Sequence, residues 1–288
     1  MRAEVVFTPD EAGAAPTALV IDVIRATSTI CQALASGYER VFCVGEVDEA
    51  RALRGSLGAG VLGGERNAVR IPGFDLGNSP REYVGTPASS TLVLSTTNGT
   101  RAVVTAAQRC ERVYIASLLN LAAVVEAARS HGEDVLVVCA GVQGRPNLDD
   151  TFVAGRIVEQ LAWERTDAAE AAARLVSTWS GAEEAFRASK SGRNLMENAP
   201  DLEEDIPFCA RESVLDVAPR LVALRASRLT ASRARPRQPR RLPTCHVTEG
   251  LGSLQQRNID YARHQGGKNN EKDTAPSRLC PRRHAPAV

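Results

Sequence analysis

Ala18-Leu-Val-Ile-Asp-Val-Ile-Arg-Ala-Thr-Ser-Thr29 decides the fold. Its four leading apolar residues read as a short strand, and a carboxylate ends the run. Arg25 follows three residues later, then hydroxyls open a helix that Gly37 stops. A strand apolar throughout is buried on both faces, as in a parallel or mixed sheet between helix layers. The same unit recurs. Apolar runs at 40–44, 91–95, 112–116 and 134–139 precede helical stretches at 47–57, 101–109, 121–130 and 148–161. Such alternation is the signature of the α/β class. Residues 151–190, rich in Ala, Glu and Arg, read as helices, and 193–224 as a closing helical segment. The expected architecture is a three-layer α/β/α sandwich with a mostly parallel or mixed sheet, occupying residues 1–225.

The rest of the composition narrows the class. The chain has 288 residues, 43% of them hydrophobic and 4% aromatic, so the core is built from aliphatic side chains. Its apolar runs fall far below the ~18 residues of a membrane span, and no signal-peptide core fits the first residues. Seven Cys without paired short spacings suggest neither a disulfide framework nor a zinc site, so a reducing cytoplasm is expected. The net charge of +1 hides an asymmetry: residues 225–288 hold 14 Lys and Arg against four Asp and Glu. That segment is also rich in Pro and polar runs, and it lacks apolar periodicity. It cannot bury enough surface to offset backbone entropy. A disordered basic tail is expected over 226–288. Tyr261 is its only aromatic, so a solvated tail without a nucleic-acid partner is the expectation.

Ligands of open α/β sheets bind outside the carboxyl ends of strands, and four strand-to-helix junctions are rich in polar groups. At the first, Asp22 could bind Mg²⁺ or act as nucleophile or base. Arg25 could bind an anion, and Thr27 and Ser28 open a helix whose N-terminus suits phosphate. Asp22 as a helix cap beside a surface Arg explains the same residues. The second junction, Thr96-Thr-Asn-Gly-Thr-Arg101, suits an anion through Thr97, Asn98, Thr100 and Arg101, with Gly99 allowing close approach. An Asn-Gly turn is the plainer reading. The third runs from Gly63-Gly-Glu-Arg66 to Phe74-Asp-Leu-Gly-Asn-Ser-Pro80. It offers Glu65 and Asp75 as hard-cation ligands, or simply turn chemistry. The fourth, Cys139-Ala-Gly-Val-Gln-Gly-Arg145, has the Cys-x₅-Arg spacing of cysteine phosphatases, where a thiolate attacks phosphorus. It equally fits a small residue ending a buried strand. Asn147 with Asp149 and Asp150 reads as a helix start whose carboxylates could also bind metal.

Absences are informative too. There is no Gly-Lys-Ser/Thr phosphate loop, no Gly-x-Gly-x-x-Gly after a strand and no Asp-x-Asp at Asp22. His131, the one His before the basic segment, reads as a loop residue, which disfavours His-dependent hydrolases.

Six pieces in series resemble the 2-phosphosulfolactate phosphatase family. They are Asp22-Val-Ile-Arg-Ala-Thr-Ser-Thr, Leu62-Gly-Gly-Glu-Arg, Gly73-Phe-Asp-Leu-Gly-Asn-Ser-Pro, Thr96-Thr-Asn-Gly-Thr-Arg-Ala, Ala116-Ser-Leu-Leu-Asn and Cys139-Ala-Gly-x-x-Gly-Arg. A fainter match runs from Asp205-Ile-Pro-Phe-Cys-Ala210 towards Pro219. The resemblance implies a Mg²⁺-dependent phosphatase that converts 2-phospho-3-sulfolactate and water to 3-sulfolactate and phosphate, a step towards coenzyme M. On that basis Asp22 with Glu65 or Asp75 would hold the metal. Asp22, Arg25, Asn98 and Arg101 would be catalytic. Thr27, Ser28, Arg66, Thr97, Gly99, Thr100, Asn120 and Arg145 would bind the small anionic phosphoester. Two alternatives remain at this level: a metal-free phosphatase using Cys139 and Arg145, and a non-catalytic binder of anionic metabolites.

Overall fold

The computed structural model describes residues 1–226 and 244–249. Its regular elements run β1 (Arg2–Val6), β2 (Ala15–Ile21), α1 (Ala26–Ala35), β3 (Arg40–Val44), α2 (Val47–Leu57), β4 (Val61–Arg66), β5 (Val69–Arg70), β6 (Thr91–Ser95), α3 (Asn98–Arg109) and β7 (Cys110–Ala116). They continue with α4 (Leu121–Arg129), β8 (Val135–Cys139), α5 (Leu148–Leu161), β9 (Glu164–Arg165), α6 (Asp167–Val176), α7 (Ala182–Ala188), α8 (Lys190–Asn198), α9 (Asp205–Cys209), β10 (Leu221–Ala226) and β11 (Thr244–Glu249). Among the described residues no helix is long and apolar enough to cross a membrane.

The α/β class holds, and the strands divide between two sheets. One has the order β7-β2-β8-β1-β9 and the other β10-β11-β3-β6-β4-β5. Pairing between these strands is parallel except for β4 with β5. Side chains alternate across each strand, and the core follows that alternation. Ala18 and Val20 of β2 join Val41 and Cys43 of β3 and Leu92 and Leu94 of β6 in one cluster around α1 and α3. Leu19 and Ile21 face the other way, under α4, α5 and α6. Phe42, Val44 and Val93 face away on the second sheet, under α2. The α/β/α sandwich therefore occurs twice, with the layer of α1 and α3 shared. A strand buried on both faces carries the same apolar pattern in either sheet, so the sequence does not distinguish one sandwich from two.

The strand order β7-β2-β8 repeats as β3-β6-β4. The two central strands, β2 and β6, each lead into a middle-layer helix that carries the chain to the other sheet. Their carboxyl ends therefore meet at one end of the molecule.

Two parts of the sequence reading change. The strand alternation passes over β4, whose centre is Gly63-Gly64 rather than an apolar run. A Cβ at Gly63 would collide with the Tyr83 hydroxyl, and one at Gly64 with the Ser95 carbonyl of the neighbouring strand. The closing segment, expected to be helical over 193–224, is helical only through α9. It then continues without regular structure past Pro219, which cannot continue a helix, into β10. Of the expected tail, residues 244–249 form β11, parallel between β3 and β10. Ala226, its first residue, ends β10, and the rest of that expectation lies outside the described residues.

Candidate active site

A cleft of about 500 Å³ opens at the carboxyl ends of both sheets. Asp22 and Arg25 enter it after β2, Glu65 and Asn67 from the end of β4, and Thr96, Thr97 and Asn98 after β6. Gln143 follows β8, and Asn78 comes from the loop ahead of β6. One face of α8 closes the far side.

The loop carrying Asp22 is fixed from several directions. The Asp22 N–H donates to Thr27 Oγ1 at 3.1 Å, and Ser28 Oγ donates to the Val23 carbonyl at 2.8 Å. Asp150 accepts from the Val23 N–H at 2.9 Å and the Gly141 N–H at 3.0 Å, tying the end of β2 to the end of β8. The α3 N-terminus lies against the same carboxylate. A Cβ on Gly99 would stand 2.6 Å from Ala26 Cβ and 2.9 Å from Asp22 Oδ2, so only glycine fits there. Burial, then the charges of Asp150 and Glu65, pushes the Asp22 carboxyl up to about 8 against the pull of the Ala26 N–H and Arg25. Asp149, buried behind it, is pushed up to about 7 mainly by burial, with Asp22 adding to the rise. Carboxyl groups thus crowd this end of the cleft, and burial with mutual repulsion favours their protonated forms.

Arg25 is 4% exposed. Its Nη1 donates to Asp205 Oδ2 at 2.8 Å, and its Nη2 to the Ala68 carbonyl at 2.9 Å. Ser79 Oγ donates to the other oxygen of Asp205 at 2.6 Å. Asn67 and Ala68, at φ 53° and 68°, form the tight turn between β4 and β5. Glu65 Oε2 accepts the Ala68 N–H at 3.0 Å. Arg25 therefore anchors this hairpin tip and α9 to the Asp22 loop.

The structure brings Asp22, Arg25, Glu65, Thr97 and Asn98 to one cleft and places the other candidates elsewhere. Thr27, Ser28 and Gly99 support the cleft from behind. Thr100 shares its hydroxyl with Thr96 at 3.2 Å. Arg66 is held by the carbonyls of Glu65 (2.6 Å) and Gly45 (2.5 Å) and by Ser95 Oγ (3.0 Å). Arg101 pairs with Asp10 at 2.6 Å, and Arg145 is exposed outside the cleft lining. Asn120 is buried, with its amide spent on Ser117, Ile115 and Val217. Asp75 accepts the Leu62 N–H at 2.8 Å, pairs with Arg54 and lines a different cavity. Each of these residues already has a local partner or faces away, which residue type and junction position do not reveal. His131 lies between α4 and β8, its Nε2 2.9 Å from the Tyr114 hydroxyl.

Cys139 does not suit a nucleophile. It is fully buried, and burial followed by Asp150 and Asp149 pushes its thiol well above the ordinary range. The Gly141 amide that would have to cradle an anion is taken by Asp150. Cys139→Ser is expected to keep turnover within about threefold of wild type, since only a thiolate mechanism needs the sulfur. A phosphate-release assay showing more than a hundredfold loss in a folded variant would reverse this.

Sequence reasoning missed Asn67, Gln143 and the α8 residues Ser191, Asn194 and Asn198, all of which line the cleft. The one available signal was the i, i+3, i+7 spacing on α8, which resembles any polar helix face.

A metal site is not preassembled: among the described residues no group of three or more His, Cys, Asp or Glu side chains could hold an ion. The donors still suit Mg²⁺, which takes one or two carboxylates and keeps water or substrate oxygens. Asp22 and Glu65 line one cleft with Asn78, whose buried Oδ1 has no hydrogen-bond partner.

The family model for 2-phosphosulpholactate phosphatase matches residues 6–223. A protein of Thermotoga petrophila named a probable 2-phosphosulfolactate phosphatase is 43% identical over 223 residues, covering 76% of this chain and 95% of the relative. Proteins of the same name from Synechococcus sp. and Thermus thermophilus are 39% and 38% identical. They cover 75% and 73% of this chain, and 93% and 90% of their own lengths. With the acidic cleft at the strand ends, these matches define a phosphatase, a phosphoric monoester hydrolase. The matched region includes strands of both sheets and every strand end that lines the cleft, while β11 lies beyond it. The chain belongs to the 2-phosphosulfolactate phosphatase family.

Proposed function

We propose that the protein hydrolyses 2-phospho-3-sulfolactate to 3-sulfolactate and phosphate with Mg²⁺, on the route to coenzyme M. The observation that carries this is the convergence of Asp22, Glu65, Thr97 and Asn98 from both sheets on one cleft. Asp22 and Glu65 would hold Mg²⁺, with Asn78 beside them. Bound there, the ion would neutralise charge on the transferring phosphoryl group. Thr96, Thr97 and Asn98 supply hydroxyl and amide donors at the start of α3, where the helix dipole favours phosphate oxygens. Thr27 and Asp150 hold the loop so that Asp22 stays aimed at the same point. The five described cysteines are buried and none of them is in a disulfide, which suits the reducing cytoplasm.

The test is phosphate release from 2-phospho-3-sulfolactate. Release is expected with Mg²⁺, a fall to background in EDTA and recovery in excess Mg²⁺. Release that persists in EDTA would remove the metal from the reading. Release from other phosphomonoesters but not from this one would remove the substrate.

A further inference from the structure

The cleft has two unlike walls. Strand ends supply one, with the carboxylates Asp22 and Glu65. The other is α8, which presents Ser191, Asn194 and Asn198 along one side. Arg25 is the one basic residue among the described lining residues, and two of its nitrogens are already bound to Asp205 and the Ala68 carbonyl. In the phosphatase reading the metal and the phosphoryl group take up Asp22, Glu65 and the start of α3, which leaves a second acidic group of the substrate no donor on that wall. It must therefore be held by neutral donors on the opposite side.

The α8 wall is built to stay in place. Asn147, the N-cap of α5, donates to Ser191 Oγ at 2.6 Å and accepts the Lys190 N–H at 3.2 Å, so α5 and α8 start from one shared side chain. Leu195 anchors the helix in the core. Asn198 Nδ2 donates to the Asn194 carbonyl at 3.0 Å, which uses one of its two amide protons.

We propose that Asn194 and Asn198 determine substrate specificity by holding the end of the substrate remote from phosphate: a short, fully ionised, weakly basic acid group such as a sulfonate. This deepens the phosphatase reading, from which it takes what occupies the opposite wall. Amide N–H groups suit three weakly basic oxygens without adding charge beside the carboxylate cluster.

The experiment is titration calorimetry of the full chain with 3-sulfolactate and with lactate, which differ only in the sulfonate. The wild type is expected to prefer 3-sulfolactate at least about tenfold, and N194A/N198A to reduce that preference to about threefold or less. Alanine favours helix, so the double variant should fold. N194D keeps the shape and adds a charge, and should weaken 3-sulfolactate binding more than lactate binding. With the phosphoester, KM of the double variant should rise about tenfold or more while kcat falls less than about threefold. A preference that survives the double substitution, no preference in the wild type, or a loss confined to kcat would each overturn the assignment. A preference for 3-sulfolactate that the double variant loses, in a wild type that releases no phosphate, would support the α8 assignment and count against the phosphatase reading.

Discussion

Asp22→Asn is expected to lower phosphate release by about 10²–10³-fold or more while stabilising the metal-free protein at high pH. The two effects share one cause. Asp22 is buried beside Asp150 and Glu65, and its carboxyl is raised from 3.8 to about 8. The unfolded chain gives up this proton near pH 4, whereas the folded chain keeps it until about pH 8. The folded state binds the extra proton through that window, so stability is full below pH 4 and is lost as pH rises towards 8. Asparagine keeps the shape and the acceptor for the Ala26 N–H and removes the ionisation. Above pH 8 the variant should exceed wild type by about 2 kcal/mol, less than the isolated shift implies because neighbouring carboxylates share the proton. Thermal melts in EDTA at pH 5 and pH 8.5 measure this. The difference should be small at pH 5 and about 5 °C at pH 8.5. A variant that is active, or equally displaced at both pH values, would contradict the placement of Asp22.

Arg25→Met is expected to destabilise the fold by about 3–5 kcal/mol and to abolish turnover with it. Asp205 is fully buried and has Arg25 at 2.8 Å, Ser79 at 2.6 Å and Arg81 only at 3.9 Å. Removing the guanidinium leaves a buried carboxylate with one hydroxyl and a distant cation. It also frees the hairpin tip at Ala68, which forms part of the cleft. The melting temperature should fall by more than about 6 °C. Arg25→Met with Asp205→Leu should recover much of the stability, because no unpaired charge remains, but not the activity. A double variant no more stable than Arg25→Met would show that the pair is not the source of the loss.

The secondary structure was largely legible because each apolar run ends at a polar junction. The helices predicted at 47–57 and 148–161 coincide with α2 and α5. The division into two sheets was not legible. Leu19 and Val20 look alike in sequence, yet they enter different cores on opposite faces of β2. At the candidate site, Asp22, Glu65 and Asn98 were legible because they stand at the carboxyl ends of strands, which is where the cleft opens. Arg66, Arg101 and Asn120 could not be sorted from them. What distinguishes them is a carbonyl of Gly45, the carboxylate of Asp10 and the carbonyl of Val217, all remote in sequence. The α8 residues were invisible for the same reason. Their place in the cleft follows from where the helix packs, not from what it contains.

The division of the strands also orders events during synthesis. β3, β4 and β6 pair with one another over residues 40–95, so that core of the second sheet can close early. β1 pairs with β8 and β9, and Val5 meets Val137. At a translation rate of about 5–20 residues per second, β1 leaves the ribosome roughly 6–26 s before its partner exists. During that interval β1 waits for strands made well after it. The nascent chain carries an unpaired strand whose Ala3, Val5 and Val6 only the later part of the polypeptide can cover.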